Sequence, residues 1–164
     1  VVFGVSGYSG AGRTPSARND PERLRDNLIP YSMSGHLHER EIGTHLGRSV
    51  RFHPHVAAFF RGISLTVAVE LEQATTPDEL LQAVCAHYAG DALVEVGEAI
   101  PEIATLSPRA GVQVGGFSVD ARDGRRASFV VVLDNLLKGA AAQALQNINR
   151  ALGFDELAGL ERVS

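Results

Sequence analysis

The stretch that most constrains this chain begins at Gly62, where Ile63, Leu65, Val67, Val69 and Leu71 alternate with Ser64, Thr66, Ala68, Glu70 and Glu72. A period of two marks a strand with one face buried and the other facing outward. Such a strand cannot stand alone, so a sheet must form around residues 62–72. Two further runs, about 110–120 and 126–134, flank Ala121-Arg122-Asp123-Gly124-Arg125, whose Asp-Gly pair predicts a tight turn and antiparallel pairing. Helices stand at the joints. Thr76-Pro77-Asp78-Glu79 supplies a capping residue, a proline at the first helical position and a glutamate at the third, opening a helix to about residue 89. Its apolar stripe is Leu80, Leu81, Val84, Cys85 and Tyr88, which makes Cys85 a buried structural cysteine and leaves His87 on the opposite side. A last helix, about 135–152, carries Leu136, Leu137, Ala140, Ala141, Ala144, Leu145, Ile148 and Leu152 at helical spacing and stops at Gly153.

Bulk composition narrows the function. With 164 residues, 45% hydrophobic and 21% charged, the chain builds one substantial core and at most a small appendage. Fifteen basic residues against 19 acidic ones leave a net charge of −4, which offers no field to gather nucleic acid or anionic lipid. No apolar run reaches the length of a membrane span, and no signal peptide opens the sequence. The lone Cys85 excludes an intrachain disulfide and a cysteine-rich zinc site and agrees with a reducing compartment. Val1-Val2-Phe3-Gly4-Val5 starts inside a strand-like run, which reads as a fragment or a trimmed chain.

Residues 1–5 should empty into a loop, Ser6-Gly7-Tyr8-Ser9-Gly10-Ala11-Gly12-Arg13, too rich in glycine for helix or regular sheet. It matches neither the phosphate-cradling P-loop nor the dinucleotide fingerprint, so it is either a tight reversal or a place where backbone approaches a cofactor. His36-Leu37-His38, with Glu39 and Glu41 close by, can be metal ligands, proton-transfer groups or a polar surface turn. His53 and His55 bracket Pro54, and a zinc site built from both histidine pairs requires the fold to bring them together. Arg61 is either a surface cation or a guanidinium fork for an anionic substrate.

Taken in order, these blocks resemble the N-acetyl-gamma-glutamyl-phosphate reductases. The resemblance rests on Val5 through Arg13, on His36-Leu37-His38-Glu39-Arg40-Glu41-Ile42, and on Phe52-His53-Pro54-His55 with Phe60-Arg61-Gly62-Ile63. It continues through Gly115-Gly116-Phe117 and the run from Asp134 to Asn147. Asn19-Asp20-Pro21-Glu22 and Leu28-Ile29-Pro30-Tyr31 look most like the branch that includes the reductase half of fungal mitochondrial kinase–reductase precursors.

The resemblance implies reduction of N-acetyl-glutamyl 5-phosphate by NADPH to the semialdehyde, with phosphate released, through a cysteine thioester and a proton-transferring histidine. The cysteine normally lies in an Asn-Pro-Gly-Cys-type segment ahead of the glycine loop, and this sequence contains no such segment. The fragment alone is therefore expected to be inactive and to bind NADP weakly or not at all. By resemblance His36 is the catalytic histidine, and His38, Arg40, Glu41 and Arg61 orient the substrate. Ser9, Gly10, Asn135, Lys138 and Gly139 approach the cofactor, and no metal is implied. The implied fold is α+β, a mixed, mainly antiparallel sheet with helices on one face, like the C-terminal domain of glyceraldehyde-3-phosphate dehydrogenase. Residues 1–134 then form the catalytic and dimerisation domain, and 135–164 a C-terminal helix that packs on an NADP-binding domain. A homodimer or homotetramer is implied, in the cytoplasm or, for a fungal protein, the mitochondrial matrix, and fusion to or association with acetylglutamate kinase is left open by the resemblance. The rivals are an aspartate-semialdehyde-dehydrogenase-like enzyme and a non-catalytic oligomerisation module.

Overall fold

A computed structural model describes residues 1–160. In chain order it contains β1 (Val2–Gly7), a 3-10 turn (Tyr8–Ala11), α1 (Pro21–Leu24), β2 (Leu28–Pro30), α2 (Leu37–Leu46), β3 (Phe52–Ala57) and β4 (Ile63–Glu70). Then come α3 (Pro77–Tyr88), β5 (Val94–Val96), α4 (Ile103–Leu106), β6 (Val112–Asp120), β7 (Asp123–Leu133), a π turn (Leu137–Ala141) and α5 (Ala142–Leu152). The strands form one sheet in the order β2-β3-β1-β4-β7-β6-β5. β1 runs parallel to β3, and β5 to β6, while the other neighbours are antiparallel.

Register decides which side chains share a face, because directly opposed residues point the same way. Leu65 of β4 stands opposite Gly4 and Val131, and Val67 opposite Val2 and Phe129. One face therefore carries Val2, Ile63, Leu65, Val67, Phe129, Val131 and Leu133, continued by Val112 and Val114 of β6. α3 packs on this apolar face over β5 and β6, where Val84 and Tyr88 meet Val112, Val114 and Phe129 around a cavity. α2 reaches the same face at the other side of the sheet. The opposite face carries Phe3, Val5, Val130 and Val132, interleaved with Ser64, Thr66, Ala68 and Ser128. The segment leading into the single-turn α4, and α4 itself, cross it: a Cβ on Gly115 would collide with the Ala99 carbonyl oxygen, and one on Gly62 with the Ile103 side chain. The alternation at 62–72 thus marks what it predicts, a strand more buried on one side within a sheet that carries α2 and α3 on that side.

The capping box of α3 forms as expected, with Thr76 Oγ1 accepting from Glu79 N at 3.2 Å and Glu79 Oε2 accepting from Thr76 N at 2.9 Å. Cys85, however, is exposed, contrary to the sequence reading. At about 100° per residue, Leu80, Leu81, Val84 and Tyr88 share one arc and Cys85 falls outside it. Cys85→Ser should accordingly change stability by no more than about 0.5 kcal/mol, the usual range for surface substitutions, as read from the urea midpoint of the intact protein.

Two further expectations need correction. The Asp-Gly pair does not make the β6–β7 turn, because Asp120 pairs with Asp123 and leaves Ala121 and Arg122 as the two turn residues. Asp120 Oδ1 accepts from Arg122 N at 2.9 Å and closes the turn early. Gly124 lies in β7, where its carbonyl accepts from Thr75 N at 2.9 Å. The last helix opens with a π turn, and α5 buries Ala142, Gln146 and Asn149 while Ile148 and Leu152 are exposed. The reason is the chain that returns after Gly153, in the left-handed conformation at φ 74°. Asn149 Nδ2 donates to the carbonyls of Glu156 at 3.1 Å and Ala158 at 2.9 Å, and Gln146 Nε2 donates to Glu156 Oε1 at 2.7 Å. Buried amides satisfied by backbone carbonyls and a carboxylate replace the apolar packing that the spacing predicts.

Candidate active site

The glycine-rich segment is tighter than a loop. Ser6 and Gly7 complete β1, and Tyr8 to Ala11 make a 3-10 turn, which corrects the expectation that residues 6–12 lie outside regular structure. Gly7 N donates to Gly62 O at 2.8 Å and Ser9 N to Phe60 O at 2.9 Å, so the turn is clamped to the start of β4. Gly62 sits at φ +112°, a region that side chains rarely adopt, and this lets the chain reverse into the strand. One amide joins three segments here: Asn135 Nδ2 donates to Ser9 Oγ at 2.8 Å, and Asn135 Oδ1 accepts from Gly62 N at 2.7 Å. Ser9, Gly10 and Asn135 therefore meet at one rim of the site. Lys138 does not reach it. Its ammonium donates to Gln146 Oε1, and burial lowers its pKa against the opposing pull of Glu156 and Asp91. Gly139 is exposed, its N–H donating to Asp134 O at 3.0 Å.

Arg61 is neither free nor a plain surface arginine. Its Nε lies 2.6 Å from Asp134 Oδ2, a close ion pair and not an aligned hydrogen bond. Asp134 is fully buried and also accepts from Ser107 Oγ at 2.6 Å and from Leu136 N at 2.9 Å. Burial alone would raise the Asp134 pKa. The Arg61 guanidinium, the Ser107 hydroxyl and the backbone N–H groups outweigh it and hold the carboxyl below the usual range.

The histidine block opens α2. His36 is the capping residue, its Nδ1 accepting from His38 N at 3.2 Å. In the neutral ring the proton then sits on Nε2. Burial, followed by the charges of His38 and Arg18, lowers the His36 pKa in spite of Glu39 and Glu41. His38 Nε2 lies 3.8 Å from Glu41 Oε2 one turn along the helix. Glu39, which the sequence showed only as a neighbour, fixes the block in place. Its Oε1 accepts from Phe52 N at 2.9 Å and its Oε2 from Gly35 N at 2.8 Å, and these bonds, that to Phe52 foremost, lower its pKa. Arg40 points away, exposed and apart from the cavity. The second histidine pair turns the other way. Phe52 and Pro54 share the face of Val2 and Gly4, so His53 and His55 lie on the opposite face, where His55 rests 4.3 Å from the Phe3 ring. Among the described residues no three His, Cys, Asp or Glu side chains gather to hold a metal ion.

Between α2 and the sheet lies an open trough of about 610 Å³. Val2, Leu65, Val67 and Leu133 form its floor, His38, Glu41 and Ile42 one wall, and Ser9, Gly10 and Asn135 the rim. Tyr31 and Arg18 close one side. The shape suits a small molecule whose reacting end faces a titratable pair and whose other end faces a cation.

A sheet of this order is the fold of a semialdehyde dehydrogenase dimerisation domain. The match to the family described as semialdehyde dehydrogenase, dimerisation domain, covers residues 1–135, and the chain belongs to that family. Within it, the chain is similar to proteins named N-acetyl-gamma-glutamyl-phosphate reductase: that of Stenotrophomonas maltophilia is 50% identical over 158 residues, 96% of this chain and 50% of that protein. That of Xanthomonas campestris pv. campestris strain B100 is 49% identical over the same share of each. Similarity extends to the Neurospora crassa protein named "Protein arg-6, mitochondrial", 49% identical over 97% of this chain and 18% of that protein. The chain thus spans about half the length of the bacterial relatives it matches. Aspartate semialdehyde dehydrogenase II from Vibrio cholerae shares the fold, with a TM-score of 0.72 at 17% identity over 93% of this chain and 54% of that one. Among the described residues no helix is long and apolar enough to cross a membrane.

Proposed function

We propose that the whole protein to which this chain belongs reduces N-acetyl-glutamyl 5-phosphate to N-acetyl-glutamate 5-semialdehyde, releasing phosphate, with NADPH as reductant. The observation that carries this reading is the 50% identity over 96% of the chain to a reductase of that name; the position of His38 and Glu41 along the trough supports it. NADPH supplies the hydride when bound. The residues present fit one end of it: Gly10 is exposed at the rim and carries no side chain, so the backbone there is open to close approach. Asn135 holds Ser9 in place through its amide. Cys85 lies on α3 and does not line the trough, so the nucleophilic thiol must come from the rest of the protein.

Geometry favours a division of labour between the two histidines that reverses the assignment read by resemblance. His36 does not itself line the trough but packs against Tyr31 and Phe52, which do; with Nδ1 engaged as an acceptor and its pKa lowered by burial, we assign it the neutral role, an Nε2–H donor held toward the acyl oxygen. His38 lines the trough and has Glu41 within reach to orient it, the arrangement of a base held by a carboxylate. His38 therefore carries the proton transfers. It takes the proton of the attacking thiol as the thioester forms and phosphate leaves, and returns it to the thiolate when the aldehyde departs, while the released phosphate takes up one proton from solvent.

The open sheet face, with its small side chains at Thr66, Ala68 and Ser128, is the surface we assign to pairing with a second copy. Sedimentation of the intact protein should show a dimer or larger assembly at micromolar concentration; monomer alone would refute the pairing. The reaction itself is tested by phosphate-dependent reduction of NADP by the intact protein with N-acetyl-glutamate semialdehyde. Turnover with aspartate semialdehyde in its place would establish the rival enzyme, and turnover with neither would leave only an assembly module.

A further inference from the structure

We propose that Arg18 recognises the substrate's anionic end, binding the carboxylate on the carbon that bears the acetylamino group. This rests on the function proposed above and names a residue that sequence reasoning missed. The two arginines it put forward are unsuited: Arg61 is committed to buried Asp134, and Arg40 lies outside the trough. Arg18 is the one arginine or lysine among the described residues lining it, and no described carboxylate forms an ion pair with it.

Its placement is built. Asn19 ties the segment before α1 into a knot: its Oδ1 accepts from Ser16 N at 2.7 Å, and its Nδ2 donates to Gly12 O at 2.9 Å and Thr14 O at 2.8 Å. Asp20 then caps α1. Between these anchors Arg18 reaches over the Tyr31 ring, its guanidinium carbon 4.9 Å from the ring centre. Stacking holds the plane and leaves the N–H fork for a planar anion. The substrate carries two anionic groups. Phosphate leaves from the reacting carbon, which the proposed chemistry puts beside His36 and His38. Tyr31 stands edge-on to His36 at 5.8 Å between its centre and the imidazole, so it separates Arg18 from that end. The group that meets Arg18 is the carboxylate, which the reaction leaves unchanged.

The test uses the intact enzyme in the oxidative direction, with the KM values for semialdehyde and for inorganic phosphate measured separately. Arg18→Met keeps the stem and removes the fork. It should raise KM for N-acetyl-glutamate semialdehyde roughly 10- to 100-fold, the range for a charge-assisted pair, with kcat within a few-fold and KM for phosphate unchanged. Arg18→Lys should recover part of the loss. With 4-acetamidobutanal, which lacks the carboxylate, wild type and Arg18→Met should perform alike. A rise in KM for phosphate instead would put Arg18 at the leaving group and overturn the assignment. An equal penalty with both aldehydes would make its role structural, and no penalty with either would remove it from the site. Wild-type enzyme inactive on the semialdehyde would sink the proposed function, and this inference with it.

Discussion

His38→Ala in the intact enzyme is expected to lower kcat by about two to four orders of magnitude, the range for losing general acid–base help. KM for NADP should hardly move, because His38 stands on the α2 wall and the proposed cofactor contacts lie on the Ser9–Asn135 rim. His36→Ala should cost about 10²- to 10³-fold, as for loss of one donor to an oxyanion, and should also weaken the start of α2, whose capping acceptor it removes. His36→Asn, which keeps a short capping acceptor, should restore the helix without restoring the rate. The two substitutions also differ in pH profile. Loss of the proton carrier should change the shape of the kcat–pH profile, whereas loss of the fixed donor should lower the whole profile and leave its shape. If His38→Ala retained near-normal turnover while His36→Ala abolished it, the roles would have to be exchanged again.

Arg61→Ala should destabilise the fold by about 3–5 kcal/mol, the cost of leaving one partner of a buried ion pair behind. Asp134 has no solvent exposure to fall back on, and Ser107 with two backbone N–H groups would be its remaining partners. Acid dependence has a definite sign. A carboxyl with a lowered folded pKa adds stability above its unfolded pKa and loses it as pH falls through the folded one. In wild type the Asp134 contribution is therefore complete at neutral pH and fades below the ordinary carboxylate range. Without Arg61 the burial effect gains ground and the pKa rises, so acid unfolding of the variant should begin at higher pH. Urea midpoints of the intact protein across pH measure both effects. A loss below about 1 kcal/mol, the level of an exposed pair, would mean that Arg61 is free for a ligand after all.

Local chemistry was readable from the sequence wherever neighbours in the chain are neighbours in space. The alternation of β4, the Thr76–Glu79 box and the Gly153 stop each involve residues a few positions apart. Cys85 and the stripe of α5 misled because periodicity shows that a helix has a face without showing what covers it; for α5 the cover is its own returning segment. The Asp-Gly turn failed for a similar reason, since Asp120 closes the hairpin first and Gly124 serves the Thr75 segment. In the site, the histidine block was visible as a motif, but its internal geometry was not. Glu39 acts through Phe52 and Gly35, Arg18 through Tyr31, and Arg61 through Asp134, and no spacing rule links those partners. Only the fold makes them adjacent.

The position of β1 has a consequence for biosynthesis. It is made before both strands that flank it, since Val2 pairs with Phe52 on one side and Val67 on the other. On the ribosome, where domains generally fold in the order they emerge, this apolar segment must wait with both hydrogen-bonding edges open until β3 and β4 have been translated. Pairings so distant along the chain form slowly and leave strands open to aggregation. A rare-codon pause placed after β3 but before β4 would prolong the vulnerable interval, and the yield of soluble protein should then depend on chaperone supply more steeply than when the same pause follows β4.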